Sequence, residues 1–258
     1  MHTTADVLAS SEQKTTPAPR AKGKWLTASI ANDAAQVVAD VLREAERRDP
    51  EHRRRWVALV DGTNHQIDRI NAEAKAREAK VTIMVDLIHV LEHLWTAAWC
   101  SHEQGDPDAE ARVHEKATAI LEGKAGTVAA AIRRKTAHRG LHGDQRARAD
   151  RSADYPLNKR PYLDYPTALD NGWPIATGII QGACRHLIKD RIDITGARWG
   201  LEGAEATLKL RAISSNNDFD TYWTDTSPES VTATTNQATP TTSSSKQRDV
   251  PLGEPHPN

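Results

Sequence analysis

Hydrophobic and polar positions follow two spacings in the first half of the chain, and each spacing predicts one kind of element. A short β-prone run at 24–30 and short apolar runs at 56–60 and 81–85 are typical of β-strands. After each run, apolar residues recur every three or four positions, which is typical of a helix with one buried face. Strands that alternate with helices predict βαβ units around a mainly parallel sheet. We therefore predict an α/β fold with three strands.

Polar residues mark where these helices are expected to start and which face they bury. Asn32 is expected to cap the first helix, and the third helix is expected to begin at Asp86. Ile67 and Ile70 are expected on the buried face of the second. From about 107 to 195 the sequence is helical and rich in alanine, with no further strand. Near its end, Glu202, Glu205 and Lys209 are expected to share one solvated helix face.

The two ends of the chain differ in composition from the middle. Residues 1–23 have no hydrophobic period, and Thr, Ser and Pro supply 18 of the 35 residues at 224–258. Such segments lack the apolar content that offsets the entropy of ordering. We predict five segments: a disordered lead-in at 1–23, a core with strands at 24–106, a helical insertion at 107–173, C-terminal helices completing the core at 174–223, and a disordered tail at 224–258.

Composition narrows the class of protein. The 258 residues are 38% hydrophobic with a mean hydropathy of -0.64, and no apolar window is long enough to span a membrane. The start of the chain also lacks the basic-then-apolar order of a signal peptide. We therefore expect a cytoplasmic protein with no membrane partner. Two cysteines are too few for a disulfide framework.

One basic segment stands out from the balanced total charge. Lys and Arg number 34 against 35 Asp and Glu, so bulk charge favours neither DNA binding nor its absence. Binding to a phosphate backbone needs only a local excess of positive charge. The segment is either a surface that contacts DNA or a plain solvated helical surface. Its candidate DNA-binding residues are Arg133, Arg134, Lys135, Arg139, Arg146 and Arg148.

Asp61 and Asp86 each follow an apolar strand directly. In open α/β sheets, ligands bind at the carboxyl ends of the strands. Two carboxylates there are suited to Mg²⁺, which proteins hold through one or two carboxylates and substrate phosphates. Both aspartates also fit a simpler role, because Asp is common in turns and as a helix cap.

His89 lies three residues after Asp86, and His93 lies one helical turn further. Residues at this spacing share one face of a helix, so the three side chains could form a zinc site. Alternatively, the histidines are half-buried polar residues packed beside Trp95 and Trp99. At Cys184 and His186 the two-residue spacing points the side chains to different faces, which argues against a nucleophilic pair.

Seven motifs, taken together and in order, resemble bacterial insertion-sequence transposases of the Kra class. The resemblance covers about residues 5–223. The motifs are KWLTAS at 24–29, WVALVDG at 56–62, VDLIHVLEHLW at 85–95, RPYLDYP at 160–166, PIATG at 174–178, GACRH at 182–186 and ITGARWGLEGAE at 194–205.

The resemblance implies a DDE transposase with an RNase H-like core, in which three carboxylates hold two Mg²⁺ ions for cutting and joining DNA. Asp61 matches the second catalytic aspartate. Asp86 with His89 matches the Asp/Cys-x-x-His pair of related mutator-like transposases. The third carboxylate falls either at Gln181, where the family has Glu, or at Glu202. Asp61 and Glu202 are therefore the expected metal ligands.

Departures from the family pattern imply loss of activity. The family's first aspartate precedes the segment that resembles 24–30, so we expect this chain to lack it, together with two strands of the sheet. Gln181 keeps the size of a glutamate without its charge. We therefore expect an incomplete RNase H-like core, and an inactive, truncated transposase remnant that binds transposon-end DNA.

Two other functions remain open on the sequence alone. One is a noncatalytic DNA-binding or assembly module that forms mixed oligomers with an intact transposase, besides homo-oligomers. The other is a metal-dependent nuclease that uses Asp61, Asp86 and Glu202.

Overall fold

The computed structural model describes residues 22–103, 106–176 and 200–219. These ranges contain helices, one 3-10 helix and a pair of strands. In chain order they are α1 (Ala34–Arg48), β1 (Trp56–Val60), α2 (Asn64–Ala76), β2 (Val81–Val85), α3 (Leu87–Trp99), α4 (Pro107–Leu121), α5 (Ala125–His138), α6 (Gly143–Asn158), the 3-10 helix (Arg160–Tyr162), α7 (Tyr165–Asp170) and α8 (Leu201–Asn216). The prediction of an α/β protein is confirmed, and helices dominate it.

The two strands form one βαβ unit with the helix between them. β1 and β2 pair in parallel, from Trp56 opposite Val81 to Val60 opposite Val85. β1 is apolar throughout, and four of the five residues of β2 are β-branched, which pack well on a pleated surface. The predicted helix between them is α2, and its Ile67 and Ile70 are buried. The sheet and its crossover therefore follow the hydrophobic pattern.

The third predicted strand, at 24–30, is wrong, because no strand forms there in the structure. Instead, the carboxylate of Glu205 on α8 binds the end of this segment. It accepts hydrogen bonds from Ser29 Oγ and from the Ile30 backbone N–H, both at 2.8 Å. The carboxylate thus takes backbone donors that a neighbouring strand would otherwise satisfy. Glu205 is accordingly buried, so the prediction of a solvated face is wrong for this residue.

The first helix begins one residue later than its expected cap. The N-cap is Asp33, whose Oδ1 accepts from the Gln36 N–H at 2.8 Å. Asn32 has another role, because its own N–H donates to Ser29 Oγ at 2.8 Å. Asp33 therefore caps α1, while Asn32 is part of the turn at Ser29 and Ile30 that the Glu205 carboxylate binds.

Among the described residues, a hydrophobic cluster joins the sheet to the helices that follow it. It includes residues of both strands and of α2–α7. At its centre lie Val85 and Tyr165, both fully buried, and the Tyr165 hydroxyl donates to the Val85 carbonyl at 2.8 Å. Burial raises the pKa of Tyr165 well above its ordinary value. Helix α6 packs against both α3 and α5, which brings its C-terminal half towards the sheet.

The chain divides into two compact units, 1–212 and 213–258. All site residues discussed below lie in the first. Of the second unit, residues 213–219 are described, and within them the Asp218 N–H donates to the Ile213 carbonyl at 3.0 Å. Across the described ranges, no helix is long and apolar enough to cross a membrane.

Candidate functional site

Asp61 and Asp86 lie side by side at the carboxyl edge of the sheet. The register pairs Val60 with Val85, the last residues of the two strands, and an aspartate follows each of them. Neighbouring strands lie roughly 4.8 Å apart, and the Asp86 N–H still donates to the Val60 carbonyl at 2.7 Å. The predicted placement of the two aspartates on one edge is therefore confirmed. Their catalytic roles stay a prediction.

The side chain of each aspartate also accepts a hydrogen bond from the backbone two residues later. Asp61 Oδ1 accepts from the Thr63 N–H, and Asp86 Oδ1 accepts from the Ile88 N–H, both at 2.8 Å. Asp61 is exposed, whereas Asp86 is only 1% exposed. The turn and cap roles considered for these residues are thus present. Asp61 is the one of the two carboxylates that a ligand in solvent can reach directly.

Tyr155, on helix α6, contacts the turn that follows β1. Its hydroxyl donates to the Asp61 carbonyl at 3.0 Å. Gly62 makes room for this contact, because a Cβ at that position would lie 2.5 Å from the Tyr155 hydroxyl oxygen. Gly62 also has a φ of +90°, which residues with a side chain rarely adopt. The Asp-Gly pair after β1 therefore serves the docking of α6 as well as the turn.

His93 stacks on the Tyr155 ring, with ring centroids 3.8 Å apart and planes at 19°. Burial, with the negative charges of Asp61 and Asp86, raises the pKa of Tyr155 to about 12. Burial also lowers the pKa of His93, which favours its neutral form. The edge therefore combines two aspartates with a protonated phenol and a largely neutral imidazole.

Two further contacts complete the edge. Lys159, buried at the end of α6, binds Asn64 Oδ1 at the start of α2 through its ammonium group. The Ile175 carbonyl accepts from the Leu87 N–H at 2.9 Å, so the PIATG motif begins beside Asp86. Gln181, six residues later, lies outside the described residues. Sequence reasoning missed Tyr155 and Lys159; both follow the basic segment without any chemical motif of their own.

Other candidate site residues lie elsewhere. His89 pairs with Glu92, with Nδ1 3.0 Å from Oε2. Glu202 is exposed in the first turn of α8. Within the described part of the chain, no three His, Cys, Asp or Glu side chains are grouped so that they could hold a metal ion. The structure therefore assembles neither Asp86, His89 and His93 nor Asp61, Asp86 and Glu202 into such a group.

The basic segment forms the helical hairpin of α5 and α6, and its cations fall into two classes. Arg133 pairs with Asp154, and Arg146 Nε lies 2.8 Å from Asp150 Oδ2. By contrast, four cations make no ion pair with any acidic residue that the structure describes. These are Arg134, Lys135 and Arg139 on α5 and its C-cap, and Arg148 on α6.

Lys135 lies among other cations. Its pKa is lowered by burial, and then by the positive charges of Arg112 on α4 and of Arg139, which outweigh the opposing charge of Asp108. A like-charge cluster of this kind attracts anions. We call Arg112, Arg134, Lys135 and Arg139 the cationic cluster. Three members of the cluster, Arg134, Lys135 and Arg139, are predicted DNA-binding residues. Arg148 on α6 is a fourth predicted residue that is exposed and has no ion pair among the described residues.

Comparison of the chain with protein-family models, with curated proteins and with solved structures found no match. The likeness to Kra-class transposases thus stays an expectation drawn from the sequence motifs.

Proposed function

We propose that this chain is a transposase-type protein that binds DNA. In this proposal, the carboxyl edge of the sheet, with Asp61 and Asp86, corresponds to the catalytic edge of active transposases. The observation that carries the proposal is that these two aspartates directly follow Val60 and Val85, the last paired residues of two adjacent parallel strands. In open α/β sheets, ligands bind at the carboxyl ends of the strands. We also propose that the core is RNase H-like.

DNA binding is proposed to use the cationic cluster. Its guanidinium and ammonium groups make no ion pair with a carboxylate of the described residues, so phosphates would not have to displace one. Contacts to phosphates carry no base information, which predicts binding without sequence preference at this surface. Affinity should fall steeply with salt, because each phosphate contact releases condensed counterions.

A matched pair of variants tests this surface. One variant neutralises the unpaired cations, Arg134→Gln with Arg139→Gln. The other neutralises two paired arginines, Arg133→Gln with Arg146→Gln, and removes the same total charge. Binding to duplex DNA is measured by fluorescence anisotropy over a salt range of about 50 to 200 mM.

The slope of log affinity against log salt changes by about 0.9 for each phosphate that the protein no longer neutralises. We expect the first variant to reduce the slope by about 1 to 2, and the second to leave it nearly unchanged. Equal slopes for both variants would assign DNA binding to another surface.

Strand cleavage is proposed to be absent, which makes the chain a noncatalytic DNA-binding or assembly module. Two-metal phosphoryl transfer needs carboxylates that bridge and orient both ions. Asp86 is buried and accepts a helix N-cap bond, and Gln181 has an amide in place of the family's glutamate. Both features argue against a two-metal site and therefore support the absence of strand cleavage.

The cleavage test uses the purified chain with labelled transposon-end DNA and Mg²⁺ or Mn²⁺. An Asp61→Ala variant is the matched control. We expect no more product from the chain than from the control. Product above the control would restore the enzyme assignment, with Mg²⁺ as its cofactor and Asp61 as a ligand, and a further Glu202→Gln variant would then test the third acid.

A further inference from the structure

A cavity of about 320 Å³ lies between α3, α4 and α5, away from the aspartates of the sheet edge. Its volume lies at the lower end of the range for small-molecule pockets, about 300 to 1,000 Å³. None of the residues that line it belongs to the cluster of Asp61, Asp86 and Tyr155. The cavity is therefore a feature separate from the sheet edge.

The walls of the cavity are aliphatic and part of its lining is cationic. Leu94, Val113, Ile132 and Leu141 contribute branched aliphatic side chains, and small alanines lie between them. The cations come from neighbouring turns of two helices: Arg112 and Lys116 on α4, and Arg134 and Lys135 on α5. Lys116 pairs with Glu115 at 2.8 Å, and the other three also belong to the cationic cluster. An apolar space lined partly by positive charge suits a molecule with an apolar body and one anionic group.

His102 adds a hydrogen-bonding position to the lining. Its side chain is 5% exposed, and its Nδ1 lies 2.9 Å from Asp106 Oδ2. The second ring nitrogen, Nε2, is buried and has no hydrogen-bond partner among the described residues. Buried polar atoms in folded proteins normally have a partner, so this nitrogen is an unsatisfied polar atom within a residue of the cavity wall.

We propose that this cavity binds a small aliphatic carboxylate, with the chain against Leu94, Val113 and Ile132 and the carboxylate towards Arg112 and Lys135. A nucleotide fits less well, because the described walls are mostly aliphatic and the cavity, at about 320 Å³, lies at the lower end of the range for ligand pockets. A bare inorganic anion fits less well also, since it would leave the aliphatic walls without contact.

The test is isothermal titration calorimetry of the full chain with octanoate, at concentrations below micelle formation. Octanol, which has the same body without the charge, and acetate, which has the same head without the body, are the comparison ligands. We expect octanoate to bind one site at least tenfold more tightly than either. No saturable octanoate binding, or equal binding of octanoate and octanol, would overturn the proposal.

Two variants locate the site. Arg112→Gln with Lys135→Gln should weaken octanoate at least tenfold and leave octanol unchanged. Ala131→Leu narrows the cavity and should weaken the binding of both octanoate and octanol. Circular dichroism checks that this variant folds. If it does not fold, the charge variant alone tests the proposal. Arg43→Gln, an exposed arginine on α1, is the matched control. Octanoate affinity that is unchanged in the charge variant would place binding elsewhere.

Discussion

The contact between Gly62 and Tyr155 makes a quantitative prediction about stability. Gly62→Ala forces a residue with a side chain to a positive φ, which costs about 1–2 kcal/mol in the left-handed region. The new Cβ would also lie 2.5 Å from the Tyr155 hydroxyl oxygen. The tyrosine ring is rigid and stacked on His93, so it can move away only by giving up its hydrogen bond to Asp61.

Loss of that hydrogen bond costs about 0.5–1.5 kcal/mol. In a Tyr155→Phe background the same bond is already absent, and the clash with the oxygen is absent too. The double variant should therefore be less destabilised than the sum of the two single variants, by about 0.5–1.5 kcal/mol. Substitutions at independent sites add within about 0.3–0.5 kcal/mol, so the coupling is measurable.

The assay is urea unfolding followed by circular dichroism and tryptophan fluorescence, for the parent chain, the two single variants and the double variant. Tyr162→Phe is the matched control, because the Tyr162 hydroxyl makes no hydrogen bond to a described residue. Gly62→Ala with Tyr162→Phe should be additive. If the effects of Gly62→Ala and Tyr155→Phe on the free energy of unfolding were additive as well, the idea that the Asp-Gly turn and α6 stabilise each other would be refuted.

Two more predictions concern the core and the terminal contact. Tyr165→Phe should lower the free energy of unfolding by about 1–3 kcal/mol, because the Val85 carbonyl loses a fully buried donor; a urea midpoint equal to that of the parent chain would contradict it. The Ile30 N–H and the Ser29 hydroxyl lower the pKa of Glu205 in the folded state. The ionised carboxylate therefore stabilises the fold at pH values above the ordinary glutamate pKa of about 4.3. This stabilisation is lost as the pH falls through the lower pKa of the folded state. The difference in urea midpoint between the parent chain and Glu205→Gln should therefore shrink from pH 7 to pH 3, whereas a constant difference would rule out this linkage.

The sequence predicts the βαβ unit and the site aspartates well, because both depend on local pattern. Apolar strands of five residues, a periodic helix between them and an aspartate after each strand determine the edge without reference to the rest of the chain. The wrong strand at 24–30 has an equally β-prone composition. Pairing, however, needs a neighbouring strand, and the donors at Ser29 and Ile30 find a carboxylate on α8 instead.

The rest of the site depends on contacts that no local pattern encodes. Tyr155 meets Asp61 across 94 residues, and Arg133 meets Asp154 across 21. Such pairs follow from how α6 packs on α3 and α5, which is decided by the whole core. For the same reason, the sequence could mark a basic segment but could not separate its paired arginines from the unpaired ones.

The long-range contact between α6 and the turn after β1 has a consequence for the order of folding. The βαβ unit closes a loop of about 30 residues, whereas the Tyr155 contact must also wait for α3, α4 and α5 to be in place. Contacts distant in sequence have the larger loop-closure cost and tend to form late. Substitutions at Tyr155 or Gly62 should then act mainly on the rate of unfolding and leave the folding rate nearly unchanged. The edge that carries the two aspartates would be among the last parts of the chain to acquire its native geometry.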